Sequence, residues 1–373
     1  MSFSSVTDLA PQYIRDIAAY QPGKPASELA RELGLNEADI IKLASNENPL
    51  GVSPKALAAM TAALSQQALY PDGNGFALKD VIAQKFNVSH DNIVLGNGSN
   101  DILEFAARTF LTPADSAVYS QHAFAVYPLA VKSVGARGIE VPAREFGHDL
   151  VAMLAAVEPN TKLIFIANPN NPTGTFIDAT VLYAALEKVP PQVLVVMDEA
   201  YTEYLPAHLR VDTSSWLKRF PNLVISRTFS KAYGLAGLRV GYGLAHPDVV
   251  GLMNRVRQPF NVNSLAQTAA AAALLDDDFL ARSFAANEAG MAQMLAGFAA
   301  LKLAHIPSRG NFVCVKIGAR GGGAGLVFQT LLRAGIIVRP IASYGMPEYL
   351  RISIGTWDEN VKFLAALQVA LNS

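Results

Sequence analysis

Leu223-Val224-Ile225-Ser226-Arg227-Thr228-Phe229-Ser230-Lys231 opens as a short apolar run and passes at once into polar residues and a lysine. An apolar run of this length without helical spacing reads as a strand buried on both faces. Working outward, the same run-then-loop pattern recurs three times. Residues 93–95 precede Gly96-Asn97-Gly98-Ser99-Asn100, and residues 163–167 precede Asn168-Pro169-Asn170-Asn171-Pro172-Thr173-Gly174. Residues 193–197 precede Asp198-Glu199-Ala200-Tyr201. Helical patterns at 101–110 and 179–188 lie between these runs. Strands alternating with helices predict an α/β domain whose mostly parallel sheet is covered on both faces.

Beyond residue 263 the pattern changes. An Ala- and Leu-rich helical region over 264–303 leads to a strand-like 311–317 and a glycine-rich connection at 320–325. A helix at 326–334, strand candidates at 336–339 and 349–354 and a last helix from 358 complete a smaller α+β lobe. The expected division is an N-terminal arm over 1–45 on the small lobe and the active site, a large domain over 46–263, and a small domain over 264–373. A chain of 373 residues is long enough for two cores.

A formal net charge of −1 gives no electrostatic case for nucleic acid or an anionic membrane. Cys314 is the sole cysteine, so an intrachain disulfide is excluded and a reducing cytoplasm is expected. The opening residues lack the basic-then-apolar order of a signal peptide, and no apolar run reaches the roughly 20 residues of a spanning helix. The histidines are scattered without paired ligand spacing, so no metal site is expected. Arg320 to Gly325 lacks both the Gly-Lys-Ser/Thr of a phosphate loop and the spacing of a dinucleotide fingerprint.

In open α/β sheets ligands bind beyond the carboxyl ends of the strands. The four post-strand loops would therefore bring a helix start, an amide, a carboxylate with a phenol, and a lysine to one crevice. Pyridoxal 5′-phosphate needs this set. Lys231 is the candidate for its Schiff base, and Asp198 for the acid that keeps its ring nitrogen protonated. Asn168 and Tyr201 are candidate donors to its phenolic oxygen. Ser99 and Asn100 open a helix whose N-terminus favours an anion, and Thr228, Ser230 and Arg239 could complete the phosphate cradle. A lone lysine is ordinarily a solvated charge; Lys231 differs in its company.

Taken together, residues 42–49, Tyr70-Pro71-Asp72, 168–174, 198–201, 228–241 and 350–353 resemble the histidinol-phosphate aminotransferases of the fold-type-I pyridoxal-phosphate family, in that family's order. The resemblance implies a mostly parallel seven-stranded sheet flanked by helices, and a cytoplasmic enzyme of histidine biosynthesis that exchanges an amino group between histidinol phosphate and 2-oxoglutarate/glutamate. It implies that Phe124 stacks on the cofactor ring and that Tyr70 reaches the cofactor phosphate of a partner subunit in a homodimer. Arg351 and Arg339 match arginines that grip the substrate's anionic group. Tyr20 resembles a tyrosine that closes over the substrate, and Asn48, in the first matching stretch, is assigned to the substrate. An aromatic amino-acid aminotransferase, a decarboxylase of a phosphorylated amino acid and a non-catalytic cofactor-binding protein remain alternatives at this stage.

Overall fold

The computed structural model describes residues 5–19 and 23–372. The four predicted runs are central or flanking strands of one sheet: Ile93–Gly96, Thr161–Ala167, Leu194–Asp198 and Leu223–Thr228. Three further strands, Ser116–Ser120, Arg137–Val141 and Gly241–Ala245, bring the sheet to seven. From one edge the strands begin at Ile93, Gly241, Leu223, Leu194, Thr161, Ser116 and Arg137. All neighbours are parallel except Gly241–Ala245, which is antiparallel to both strands beside it.

The apolar runs exist because both faces are covered. Ile164, Ile166, Val195, Met197 and Ile225 join the core on one face, while Leu163, Phe165, Leu194, Val196 and Val224 join the core on the other. Each set alternates with the period of two that a pleated strand imposes. That period also sends Asp198 and Glu199 to opposite sides. Glu199 turns away from the cleft to accept a 2.9 Å hydrogen bond from Arg227 Nε.

The smaller lobe is a four-stranded antiparallel sheet, ordered Arg339–Pro340, Tyr349–Ser353, Phe312–Lys316, His305–Ile306. Helices Asp277–Ala300, Ala324–Arg333 and Trp357–Asn372 pack with it around Met294, Phe298, Val313, Ile352 and Phe363. The glycine-rich connection is a tight turn, with Gly321, Gly322 and Gly323 all at positive φ. Ile41–Lys42 pairs in parallel with Ile336–Ile337, so the chain before the large domain is tied to the small lobe.

Two expectations change. The helical region over 264–303 is two helices, Ser264–Leu274 and Asp277–Ala300. Asp276 caps the second, accepting from Phe279 N and from Ser53 Oγ. The first helix does not belong to the small lobe. It packs against Pro54–Ala63 and Phe76–Phe86, and Ala266, Ala269, Ala270 and Ala273 enter the large domain's core. Alanine's small side chain allows that close helix approach, and the sequence pattern alone does not say which lobe supplies the other surface. The strand candidate at 336–339 also divides, into Ile336–Ile337 and Arg339–Pro340, which serve different sheets.

Candidate active site

A cleft of about 220 Å³ lies at the carboxyl ends of the parallel strands. Lys231, Arg239, Arg339 and Arg351 line it, with Asp198 as the one carboxylate among its described lining residues. This excess of cations suits a phosphorylated ligand and an anionic substrate.

Asp198 ends the strand Leu194–Asp198 and is buried. Its Oδ2 accepts from Tyr127 Oη at 3.0 Å and its Oδ1 from Ala200 N at 3.2 Å. Burial pushes its carboxyl up to about 6, against the lowering pull of the Tyr127 hydrogen bond. Lys231 follows the strand Leu223–Thr228, and its Nζ donates to Ser45 O at 3.1 Å. Burial, with Arg351 and Arg239 nearby, pushes its ammonium down to about 8, which favours the nucleophilic amine. Burial raises the Tyr201 phenol to about 12, so this phenol keeps its proton.

The phosphate side is built on close backbone approach. The helix Ser99–Phe110 starts directly after Gly98, whose φ is +82°. A Cβ on Gly98 would stand 2.4 Å from Arg239 Nη2, and one on Gly241 would stand 2.5 Å from Ser99 N. Glycine at both positions keeps the helix start and the guanidinium together. Arg239 Nη1 donates to Ser230 Oγ at 3.2 Å, while Ser230 N donates to Thr228 Oγ1 at 3.1 Å. Free helix N–H groups, two hydroxyls and a cation are the donor set a phosphate monoester requires. With the lysine, the buried acid and the phenol alongside, the residues present fit pyridoxal phosphate. Phe124 lines the cleft and meets Tyr127 edge-on, with ring centroids 5.9 Å apart.

Arg351 lies on the strand Tyr349–Ser353, opposite Arg339 in register. Its Nη1 donates to Asn171 Oδ1 at 2.6 Å and its Nη2 to Ala44 O at 2.7 Å; Nε is buried without a partner among the described residues. Arg339 also lines the cleft.

Asn168 is not a cleft residue. Its amide closes on one backbone unit, donating to Ile177 O at 2.9 Å and accepting from Ile177 N at 2.8 Å. Asn171, three residues on, lines the cleft instead. Three asparagines crowd residues 168–171, and only the path of the loop selects among them. Asn48 is likewise spent on structure. Its Nδ2 donates to Ala232 O and to Ser283 Oγ, both at 2.8 Å, and its Oδ1 accepts from Leu50 N. That tie fixes the residue beside Lys231 to the long helix, outside the cleft. Tyr70 is 83% exposed and stacks on Phe260 outside the chain's own cleft. Tyr20 lies outside the described residues. Sequence reasoning missed Asn46, Tyr127 and Asn171. Tyr127 lies in the stretch that carries Phe124, at the start of the helix Val126–Ser133; Asn46 carried no local signal.

A model of aminotransferases of class I and II matches residues 38–367. The chain is 62% identical to a histidinol-phosphate aminotransferase of Methylobacillus flagellatus over 98% of both chains. The chain belongs to the histidinol-phosphate aminotransferases of the class I and II family. A second such relative, histidinol-phosphate aminotransferase 2 of Nitrosospira multiformis, is 59% identical over 99% of this chain and 93% of its own length. The crystal structure of the histidinol-phosphate aminotransferase from Sinorhizobium meliloti, in complex with pyridoxal 5′-phosphate, superposes with a TM-score of 0.89 at 29% identity, covering 99% of this chain and 98% of that one. The fold is fold type I, and the enzyme is a pyridoxal-phosphate-dependent transaminase. Among the described residues no helix is long and apolar enough to cross a membrane.

Proposed function

We propose that the enzyme transfers the amino group of L-histidinol phosphate to 2-oxoglutarate, giving imidazole acetol phosphate and L-glutamate in histidine biosynthesis, in the cytoplasm. The observation that carries this reading is a pair of separate cation centres in one cleft. Arg239, with Ser99, Asn100, Thr228 and Ser230, suits the cofactor's phosphate. Arg351 and Arg339 suit a second anion, the substrate's phosphate ester or the carboxylate of glutamate. Relatives 59–62% identical over nearly the whole chain are histidinol-phosphate aminotransferases, which supports the same substrate.

When bound, the cofactor supplies an electron sink for the substrate's α-carbon. Lys231 would hold it covalently, and Lys231 Nζ is the base that moves the proton at that carbon. Asp198 Oδ2, held by Tyr127, keeps its charge for the ring nitrogen. Tyr201 would donate to the ring oxygen, with Asn171 in the part expected of Asn168, and Phe124 would pack against the ring. Tyr70, exposed and outside the lining of its own cleft, would complete the phosphate site of a second copy in a homodimer.

Separate additions of L-histidinol phosphate, L-phenylalanine and L-threonine phosphate to the loaded enzyme, followed by the change in cofactor absorbance, test this function. Fast conversion by histidinol phosphate alone is the expected result. Preference for phenylalanine would move the enzyme to aromatic amino-acid metabolism, and carbon dioxide release from threonine phosphate to decarboxylation.

A further inference from the structure

Asn46 is 1% exposed and has a φ of +55°, a conformation asparagine tolerates better than most residues. Its contacts form a closed sequence of donors. The Asn46 backbone N–H donates to Ser353 Oγ at 2.8 Å. Ser353 Oγ donates in turn to Asn46 Oδ1 at 3.0 Å. Asn46 Nδ2 then donates to Tyr201 Oη at 2.9 Å.

The direction of this sequence follows from chemistry. A backbone N–H can only donate, so Ser353 Oγ must accept it. Ser353 is buried, and its own hydrogen has one acceptor among the described contacts, Asn46 Oδ1. Turning the Asn46 amide over would put NH₂ against that hydroxyl and strand its buried hydrogen without an acceptor. The NH₂ therefore faces Tyr201. A phenol oxygen that accepts from Asn46 has its own hydrogen left to give, and Tyr201 lines the cleft.

We propose that Asn46 is a positioning residue that commits the Tyr201 hydroxyl to donate into the cleft, and that Ser353 fixes the orientation in which it does so. This rests on Tyr201 being a donor to the cofactor's ring oxygen. The consequence is a link between lobes. Ser353 lies two residues from Arg351 on the same strand, so the strand that carries the substrate's anion site also sets the donor at the cofactor. Arg351 reinforces the link by donating to Ala44 O, two residues before Asn46.

The test reads the pH midpoint of the bound cofactor's absorbance in the holoenzyme, with cofactor occupancy measured alongside. A donor to the ring oxygen stabilises its negative charge and weakens its hold on a shared proton, so losing that donor raises the midpoint. Tyr201→Phe is expected to raise it by about one unit. Asn46→Gly suits the positive φ and removes only the amide; it is expected to raise the midpoint by a few tenths of a unit, roughly. Asn46→Asp, whose carboxylate draws the Tyr201 hydrogen to itself, should raise it more. In a Tyr201→Phe background Asn46→Gly should move nothing.

An unmoved midpoint in both Asn46 variants, or an equal shift in the Tyr201→Phe background, overturns the assignment of Asn46. A midpoint unmoved by Tyr201→Phe itself sinks the Tyr201 reading on which this rests. Ser353→Ala, which lets the amide turn over, should shift the midpoint the same way; no shift there removes Ser353 from the sequence of donors.

Discussion

Lys231, Asp198 and Thr228 stand at the ends of neighbouring parallel strands, whereas Asn46 meets Ser353, and Ala44 meets Arg351, across 307 residues of chain. The floor of the cleft is made by strand order. Each strand end delivers its first loop residues to the same edge, and the sheet's register holds them. The outer wall is made by docking, with the segment around Ala44 to Asn46 held against a strand of the other lobe. Reactive groups sit on the rigid floor, and groups that recognise an anion sit on the wall. A wall between lobes can adjust to ligands of different length, while the floor keeps the reacting atoms fixed.

The sharpest break of this comparison is Lys231→Ala. It should abolish the half-reaction, by at least about 10⁴-fold, while thermal unfolding of the protein remains cooperative. Asp198→Asn should lower that rate by about 10²–10⁴-fold. Its effect on stability runs the other way. The folded carboxyl titrates near 6, above the unfolded value of 3.8. The folded state therefore binds the extra proton between those values, and stability falls as pH rises through that window. In cofactor-free protein at pH 7, Asp198→Asn should raise the unfolding free energy by on the order of 2 kcal/mol, checked by denaturant titration.

On the wall, Arg351→Gln should raise KM for histidinol phosphate by about tenfold to a hundredfold, with a smaller change in kcat. A pH series sharpens the floor. Attachment of cofactor to the apo protein should quicken by about tenfold per unit below pH 8 and level off above it, as Lys231 loses its proton near 8. Smallest is the contrast of the two asparagines. Asn168→Ala should cost about 1–2 kcal/mol of stability by stranding the Ile177 backbone, with cofactor affinity nearly unchanged. Asn171→Ala should weaken cofactor binding severalfold, besides stranding the buried Arg351 Nη1 that its Oδ1 accepts. The reverse pattern would restore Asn168 to the cleft.

The floor was legible in the residues and the wall was not. A strand buried on both faces must be apolar and short, and the loop after it must carry the polar groups, so Asp198, Tyr201, Thr228, Ser230 and Lys231 were visible at once. Arg351 and Arg339 emerged only from the resemblance, since nothing in a strand of mixed residues marks an arginine as facing a cleft. Asn168 and Asn48 were misplaced because an amide serves equally well as a backbone clasp or a ligand contact. The helix Ser264–Leu274 was placed in the wrong lobe because an alanine-rich face fits any close partner.

By itself the sequence determined the alternating architecture and the chemistry at the strand ends, because burial and β-pairing act on neighbouring residues with a fixed period. Only the tertiary structure decided which asparagine faces the cleft, which lobe holds Ser264–Leu274, and that Asn46 meets Tyr201 and Ser353. Those outcomes depend on hydrogen bonds and packing between distant segments, whose partners are chosen when the lobes close on each other.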